Sequence, residues 1–199
     1  MDRFGTQDIV FIYSKNGRYM PKKWITLLIG FVLLGQTWAA NASLPVGARA
    51  PLFSTSSAKA GEELGFNLAA ALAKGPVVIY FYPKAFTRGC TLEANAFADA
   101  LPEFSSLGAT VIGLSNDDIE TLRRFSVEEC RSMFAVGIAS PSIIEAYKVR
   151  STRSGFSERT SFVIDRNGTI TLVYSNPDYR GHVQQALQAV RSLSRRGIN

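Results

Sequence analysis

Residues that usually carry site chemistry are scarce in this chain. Only two cysteines, Cys90 and Cys130, occur in 199 residues, forty positions apart. That is too few for a disulfide framework, and the spacing fits no zinc-ligand pattern. His182 is the sole histidine, which speaks against a Cys/His protease or a histidine-rich metal site. Long apolar runs are missing too: WITLLIGFVLLG, starting at Trp24, covers about twelve residues, short of the ~18 that mark a membrane span. No internal repeat, low-complexity tract or interior linker breaks up the remainder. With 46% hydrophobic and 19% charged residues, the composition is that of an ordinary globular protein.

The short apolar run has a different use. It is followed by QTWAANASLPVG, in which Ala40 and Ala42 place small residues where a signal peptidase inspects the chain. Residues 1–42 therefore read as a signal peptide cleaved before Ser43, with an upstream extension and Met20 as the true start. An exported, periplasmic or extracytoplasmic protein is expected; the alternative is a membrane anchor over residues 24–40. This segment holds five cations against two anions, half of the formal net charge of +6. What is left beyond it is a weakly basic domain with no pattern that calls for nucleic acid.

Past Ser43 an irregular, serine-rich lead-in is expected to about Glu63, then a helix over Phe66 to Lys74. Pro76 to Pro83, PVVIYFYP, is an almost unbroken β-branched and aromatic run, the pattern of a strand covered on both faces. Ala94, Phe97, Ala98 and Leu101 repeat at helical spacing, so an amphipathic helix begins near Cys90. A second buried strand spans Ala109 to Ser115, and Asn116, Asp117 and Asp118 offer caps for the helix IETLRRFSVEE. A short apolar stretch (Phe134 to Ile138) and a helix (Ser142 to Tyr147) come next. Strands at Thr160 to Asp165 and Thr169 to Tyr174 flank an Asn-Gly turn, and a helix from about Gly181 to Leu193 closes the chain. The order defines an α/β protein with a mixed central sheet flanked by helices. It is the order of a thioredoxin-like fold with an insertion, one domain over residues 43–199.

Cys90 stands in YFYPKAFTRGCTLEANAF. With Thr87 as N-cap, Cys90 is the N3 residue, its amide bonded by the cap hydroxyl and its sulfur beside open N–H groups at the positive end of the dipole. That location favours a thiolate. Thr87 also occupies the place of the first cysteine of a CxxC pair, so dithiol exchange has no partner there. A thiolate surrounded by a hydroxyl and N–H groups suits cleavage of an O–O bond instead.

Pro83, Thr87 and Cys90 form the pattern PxxxTxxC after a buried strand. This resembles the active-site motif of peroxiredoxins, and the surrounding stretch is similar to their bacterioferritin-comigratory, or peroxiredoxin Q, branch, over roughly residues 45 to 190. The resemblance implies a thiol-dependent peroxidase without cofactor or metal. In it Cys90 is the peroxidatic cysteine, Thr87 its hydrogen-bonding partner, Pro83 a shield against water, and Arg159 the catalytic arginine from a later strand. The implied partners are a hydroperoxide and an external thiol reductant; monomer and homodimer both stay open. Glu93 resembles a family helix residue and equally fits a first-turn glutamate favouring the dipole. His182 reads as a surface residue.

The pattern departs from the branch at one point. Many members carry a second, resolving cysteine five residues after the first, where this chain has Asn95. Cys130, at the inward face of the helix that starts at Ile119, is then either the resolving partner or a buried structural thiol. Two rival functions also stand: a non-catalytic redox-sensing or binding module, and a thiol:disulfide oxidoreductase, against which the missing CxxC counts.

Overall fold

The computed structural model describes residues 43–197, so the expected leader at 1–42 lies outside the described residues. Among these residues no helix is long and apolar enough to cross a membrane. The strands are β1 (Ser54–Lys59), β2 (Glu62–Asn67), β3 (Val77–Phe81), β4 (Thr110–Ser115), β5 (Ala135–Ile138), β6 (Thr160–Ile164) and β7 (Ile170–Ser175). The helices are α1 (Leu68–Leu72), α2 (Arg88–Ser106), α3 (Ile119–Glu128), α4 (Pro141–Ala146) and α5 (His182–Arg195).

All seven strands belong to one sheet in the order β2-β1-β5-β4-β3-β6-β7. β3 pairs parallel with β4 and antiparallel with β6, and β4 pairs parallel with β5. The sheet is therefore mixed, as the element order implies. Every residue of β3 is fully buried. Its side chains alternate: Val78 and Tyr80, with Tyr82 beyond, pack under α2, α3 and α5, while Val77, Ile79 and Phe81 pack under α1 and α4. Full burial of such a side chain contributes about 1.5–3 kcal/mol. The strand that delivers Cys90 is thus fully buried on both faces, like β6 beside it.

Three expectations need correction. The lead-in is not irregular: β1 and β2 form an antiparallel hairpin, turning at Ala60 (φ 53°) and Gly61 (φ 81°). Two consecutive positive φ values make the tight turn that matches strand twist. The hairpin lies at the sheet edge and is mostly exposed, so it lacks the apolar pattern that marks buried strands. Phe66 and Asn67 end β2 instead of starting a helix, because the Asn67 side chain caps α1 by accepting from the Ala70 amide at 2.8 Å. Of the three candidate caps before α3, only Asp118 serves, accepting from Thr121 N at 2.8 Å. The Asn-Gly hairpin between β6 and β7 is as expected, with Gly168 at φ 80°.

Candidate active site

Between β3 and α2 the chain makes a tight loop that three side chains pin in place. Ser157 Oγ donates to Tyr82 O at 2.9 Å. Asp117 Oδ2 accepts from Ala85 N at 2.7 Å and from Ser115 Oγ at 2.8 Å. Asp117, read in the sequence as a helix cap, is a loop anchor instead. Phe86 takes a left-handed conformation, φ 61°, which costs about 1 kcal/mol or more for such a residue. Its ring packs edge-on against Phe125 at 5.2 Å and carries Arg124 over its face, contacts that offset the strain.

Thr87 stands at the N-cap of α2, as expected, with extended backbone. Its hydroxyl does not cap. It donates to Lys84 O at 2.9 Å, because the loop folds that carbonyl back onto it. The first intrahelical bond runs from Thr91 N to Thr87 O at 2.9 Å, so the amides of Arg88, Gly89 and Cys90 stay open for another acceptor. The expected bond from cap hydroxyl to Cys90 amide is therefore replaced by an open anion-facing helix start.

Cys90 is 1% exposed. Arg159, one residue before β6, donates from Nη2 to Cys90 Sγ at 3.3 Å. The rest of its guanidinium is committed as well: Nε donates to Pro177 O at 3.1 Å and Nη1 to Glu93 Oε2. The fork is thus fixed from three sides with one edge on the sulfur. Gly89 makes room for it, since a Cβ there would sit 3.2 Å from Arg159 Nη2. Arg159 and Pro83 line one cleft of about 410 Å³, together with Ser157, Glu158 and Pro177. Of the four residues singled out by motif, Cys90 and Arg159 are in direct contact. Pro83 shares the cleft, and Thr87 sits at the helix start with its hydroxyl turned to the loop.

The first-turn reading of Glu93 and the surface reading of His182 both need correction. Glu93 lies in the second turn of α2, is fully buried, and pairs with Arg159. Burial pushes its carboxyl up to about 8, against the opposing pull of Arg159. His182 is not on the surface but fully buried. Its Nδ1 lies 2.8 Å from Ser161 Oγ and 3.6 Å from Glu93 Oε1, and its Nε2 lies 3.0 Å from Asn176 O. Burial lowers it to about 4. A signal for both was present. His182 falls on the stripe of Ala186, Val190 and Leu193, and Glu93 on that of Cys90 and Phe97, each the inward face of its helix.

Cys130 lies beyond the end of α3, not on it, with its amide donating to Phe125 O at 3.1 Å. It is a free, fully buried thiol in the apolar cluster of Tyr80, Tyr82 and Phe125. Burial, with Glu129 adding to it, pushes this thiol far above its ordinary value. Asn95 clasps the same region by donating to Glu129 Oε2 at 3.1 Å.

A thiol at an open helix start, met by a buried arginine on a mixed sheet of thioredoxin-like order, defines a cysteine-based redox protein. Residues 46–173 match the AhpC/TSA family model. The chain belongs to the AhpC/TSA family, in its peroxiredoxin Q or bacterioferritin-comigratory branch, and is a thiol-dependent peroxidase. A Coxiella burnetii protein named as a peroxiredoxin of the bcp kind is 32% identical over 151 residues, 73% of this chain and 97% of that one. The chloroplastic peroxiredoxin Q of Suaeda salsa is 35% identical over 132 residues; the match covers 65% of this chain and 62% of that longer protein. The crystal structure of the peroxidoxin BcpB of Mycobacterium tuberculosis is similar with a TM-score of 0.68 and 28% identity, covering 75% of this chain and 98% of that one. These relatives do not favour a non-catalytic binding module.

Proposed function

We propose that Cys90 is the sulfur that attacks the hydroperoxide, with Arg159, Thr87 and Pro83 as its working surroundings. The observation that carries this reading is the hydrogen bond from Arg159 Nη2 to Cys90 Sγ at 3.3 Å. A thiolate hidden from water is costly unless paired, and a guanidinium supplies both charge and directed donors. The thiolate attacks the distal peroxide oxygen: the S–O bond forms as the O–O bond breaks, and sulfur is oxidised to a sulfenic acid. The second oxygen leaves with the bonding electron pair and takes up the proton that Cys90 gave to solvent on ionising, so the products are the sulfenic acid and water or alcohol. The open amides of α2 and the Arg159 guanidinium supply donors for the charge that develops on the departing oxygen, while Thr87, its hydroxyl bonded to Lys84 O, holds the loop at the helix start. Pro83, with no N–H to offer, walls the cleft against water.

The sulfenic acid then needs a thiol. Cys130 is fully buried and its thiolate is disfavoured, so we assign the resolving step to an external thiol reductant. The pattern of residues 1–42 supports export, and the reductant then belongs to an extracytoplasmic thiol system.

Intact mass with thiol trapping, after one equivalent of hydrogen peroxide on the chain from Ser43, tests both assignments beside Cys90→Ser and Cys130→Ser. A sulfenic acid that vanishes in Cys90→Ser and persists in Cys130→Ser is expected. An internal disulfide requiring both cysteines would make Cys130 the resolving residue. A Cys90 no more reactive than a free thiol would remove it from the peroxide step.

A further inference from the structure

We propose that Glu93 and His182 hold one proton between them behind Arg159, and that this proton leaves the guanidinium's charge free for the Cys90 thiolate. The inference rests on the reading of Cys90 as the attacking sulfur. Both are positioning residues, acting through Arg159.

The hydrogen-bond pattern leads to this assignment. His182 Nε2 faces the carbonyl of Asn176 at 3.0 Å, and a carbonyl only accepts, so Nε2 carries a hydrogen. In the neutral ring Nδ1 is then a lone pair, which accepts from the Ser161 hydroxyl at 2.8 Å. That same lone pair faces Glu93 Oε1 at 3.6 Å, and Oε1 is buried with no hydrogen-bond partner. Nδ1 is thus satisfied by Ser161 and lies beyond hydrogen-bond distance of Oε1. Oε1 is then a buried carboxyl oxygen with no donor, stable in an apolar interior only while the carboxyl keeps a proton, which the nearby Nδ1 lone pair favours over a second negative charge. The other groups facing this pair are Arg159, Cys90 and Tyr80 on the Glu93 side, and Tyr174 and Asp178 on the His182 side. None of them is a second buried cation.

Charge balance points the same way. With Cys90 as thiolate and Arg159 protonated, the cluster is neutral if the pair keeps its proton and carries −1 if the pair loses it. In the second case the carboxylate competes with the sulfur for one guanidinium, and a net charge is left without water. The upward push on Glu93 and the downward push on His182 from burial place the proton on Glu93 in neutral solution.

The test is the rate of Cys90 oxidation by hydrogen peroxide, followed from pH 6.5 to 9.5 by intact mass or stopped-flow fluorescence. The parent protein is expected to slow about tenfold between pH 7 and 9, with a midpoint near 8, as the pair gives up its proton. Glu93→Gln places an amide where the protonated carboxyl stood, so its rate should stay within about twofold over that range. His182→Gln removes the Nδ1 acceptor, and the fall should move to lower pH by about one unit. A residue that only shapes the fold would scale the rate at every pH without moving the midpoint. A parent rate that does not fall above pH 7, or an unchanged fall in Glu93→Gln, overturns the shared proton. A Cys90 that peroxide does not oxidise at any pH overturns the assignment of Cys90 itself.

Discussion

Cys90 and Cys130 are equally hidden, at 1% and 0% exposure, and belong to the same apolar cluster. What separates them is who approaches the sulfur. Cys90 heads an uncapped helix and receives an arginine N–H, which Glu93 and the Pro177 carbonyl hold in line. Cys130 follows a helix end and lies among Tyr80, Tyr82 and Phe125, where burial pushes its thiol upward with nothing to oppose it. Burial alone disfavours a thiolate, whereas burial beside a fixed cation supplies a partner for one, because in a low dielectric the pairing is strong and the unpaired ion is expensive.

The contrast breaks most sharply at Arg159. Arg159→Met keeps much of the side chain's length and removes its charge; a loss on the order of 10²-fold in the rate of Cys90 with hydrogen peroxide is expected. Stopped-flow rates at pH 7 check this, and a loss under threefold would mean that the arginine is only structural.

Cys130→Ser should have the opposite profile. A hydroxyl among aromatic rings lacks a partner, so stability should fall by about 1–3 kcal/mol in urea unfolding, while the peroxide step at Cys90 stays within about threefold. A variant that keeps its stability but loses the peroxide step would mean that the two sulfurs act together.

Titration sharpens the comparison further, since only the surroundings of Cys90 include groups that exchange protons near neutrality. Unfolded, Glu93 titrates near 4.5 and His182 near 6.5; folded, they titrate near 8 and near 4. Between pH 4.5 and 6.5 both states hold one proton on these two residues, and their effect on stability is level. From 6.5 to 8 the unfolded chain releases that proton while the folded one keeps it, so rising pH favours unfolding, by about 2 kcal/mol across the window. Urea midpoints at pH 6.5 and 8 measure it, and in Glu93→Gln the decline should disappear. A parent midpoint that rises over this window contradicts the assignment.

The smallest effect is expected at Gly89. Alanine there gains about 1 kcal/mol in helix propensity, but its Cβ, 3.2 Å from Arg159 Nη2, would push the guanidinium off the sulfur by a few tenths of an ångström. A protein with a slightly higher melting temperature and a severalfold slower reaction with peroxide is the expected outcome. Unchanged kinetics would show that the arginine has slack.

Legibility in the sequence follows burial and distance along the chain. The run of Val77 to Phe81 announced a strand covered on both faces, and PxxxTxxC announced the thiol, because periodicity and spacing are local properties. The exposed β1–β2 hairpin was missed because its polar strands carry no apolar alternation. Asp117 was read as a cap because its real partner, Ala85 N, is 32 residues away. His182 was read as a surface residue and Glu93 left between a family helix residue and a first-turn dipole glutamate because their types are polar, although both fall on the inward stripes of their helices.

What the sequence by itself determined is the strand that carries the loop, the helix that starts at Thr87, and the sulfur at its third position. Each follows from the period of side chains along a few turns or a few strand residues. Only the tertiary structure decided that Arg159, 69 residues from Cys90, closes on its sulfur, and that Glu93 and His182 meet behind it. It also decided that the other cysteine is left among aromatic rings. Those outcomes depend on how β3 and β6 pair and how α2 and α5 pack on one sheet face. Interactions of this kind are strong because water is excluded, and water is excluded only once the chain has folded.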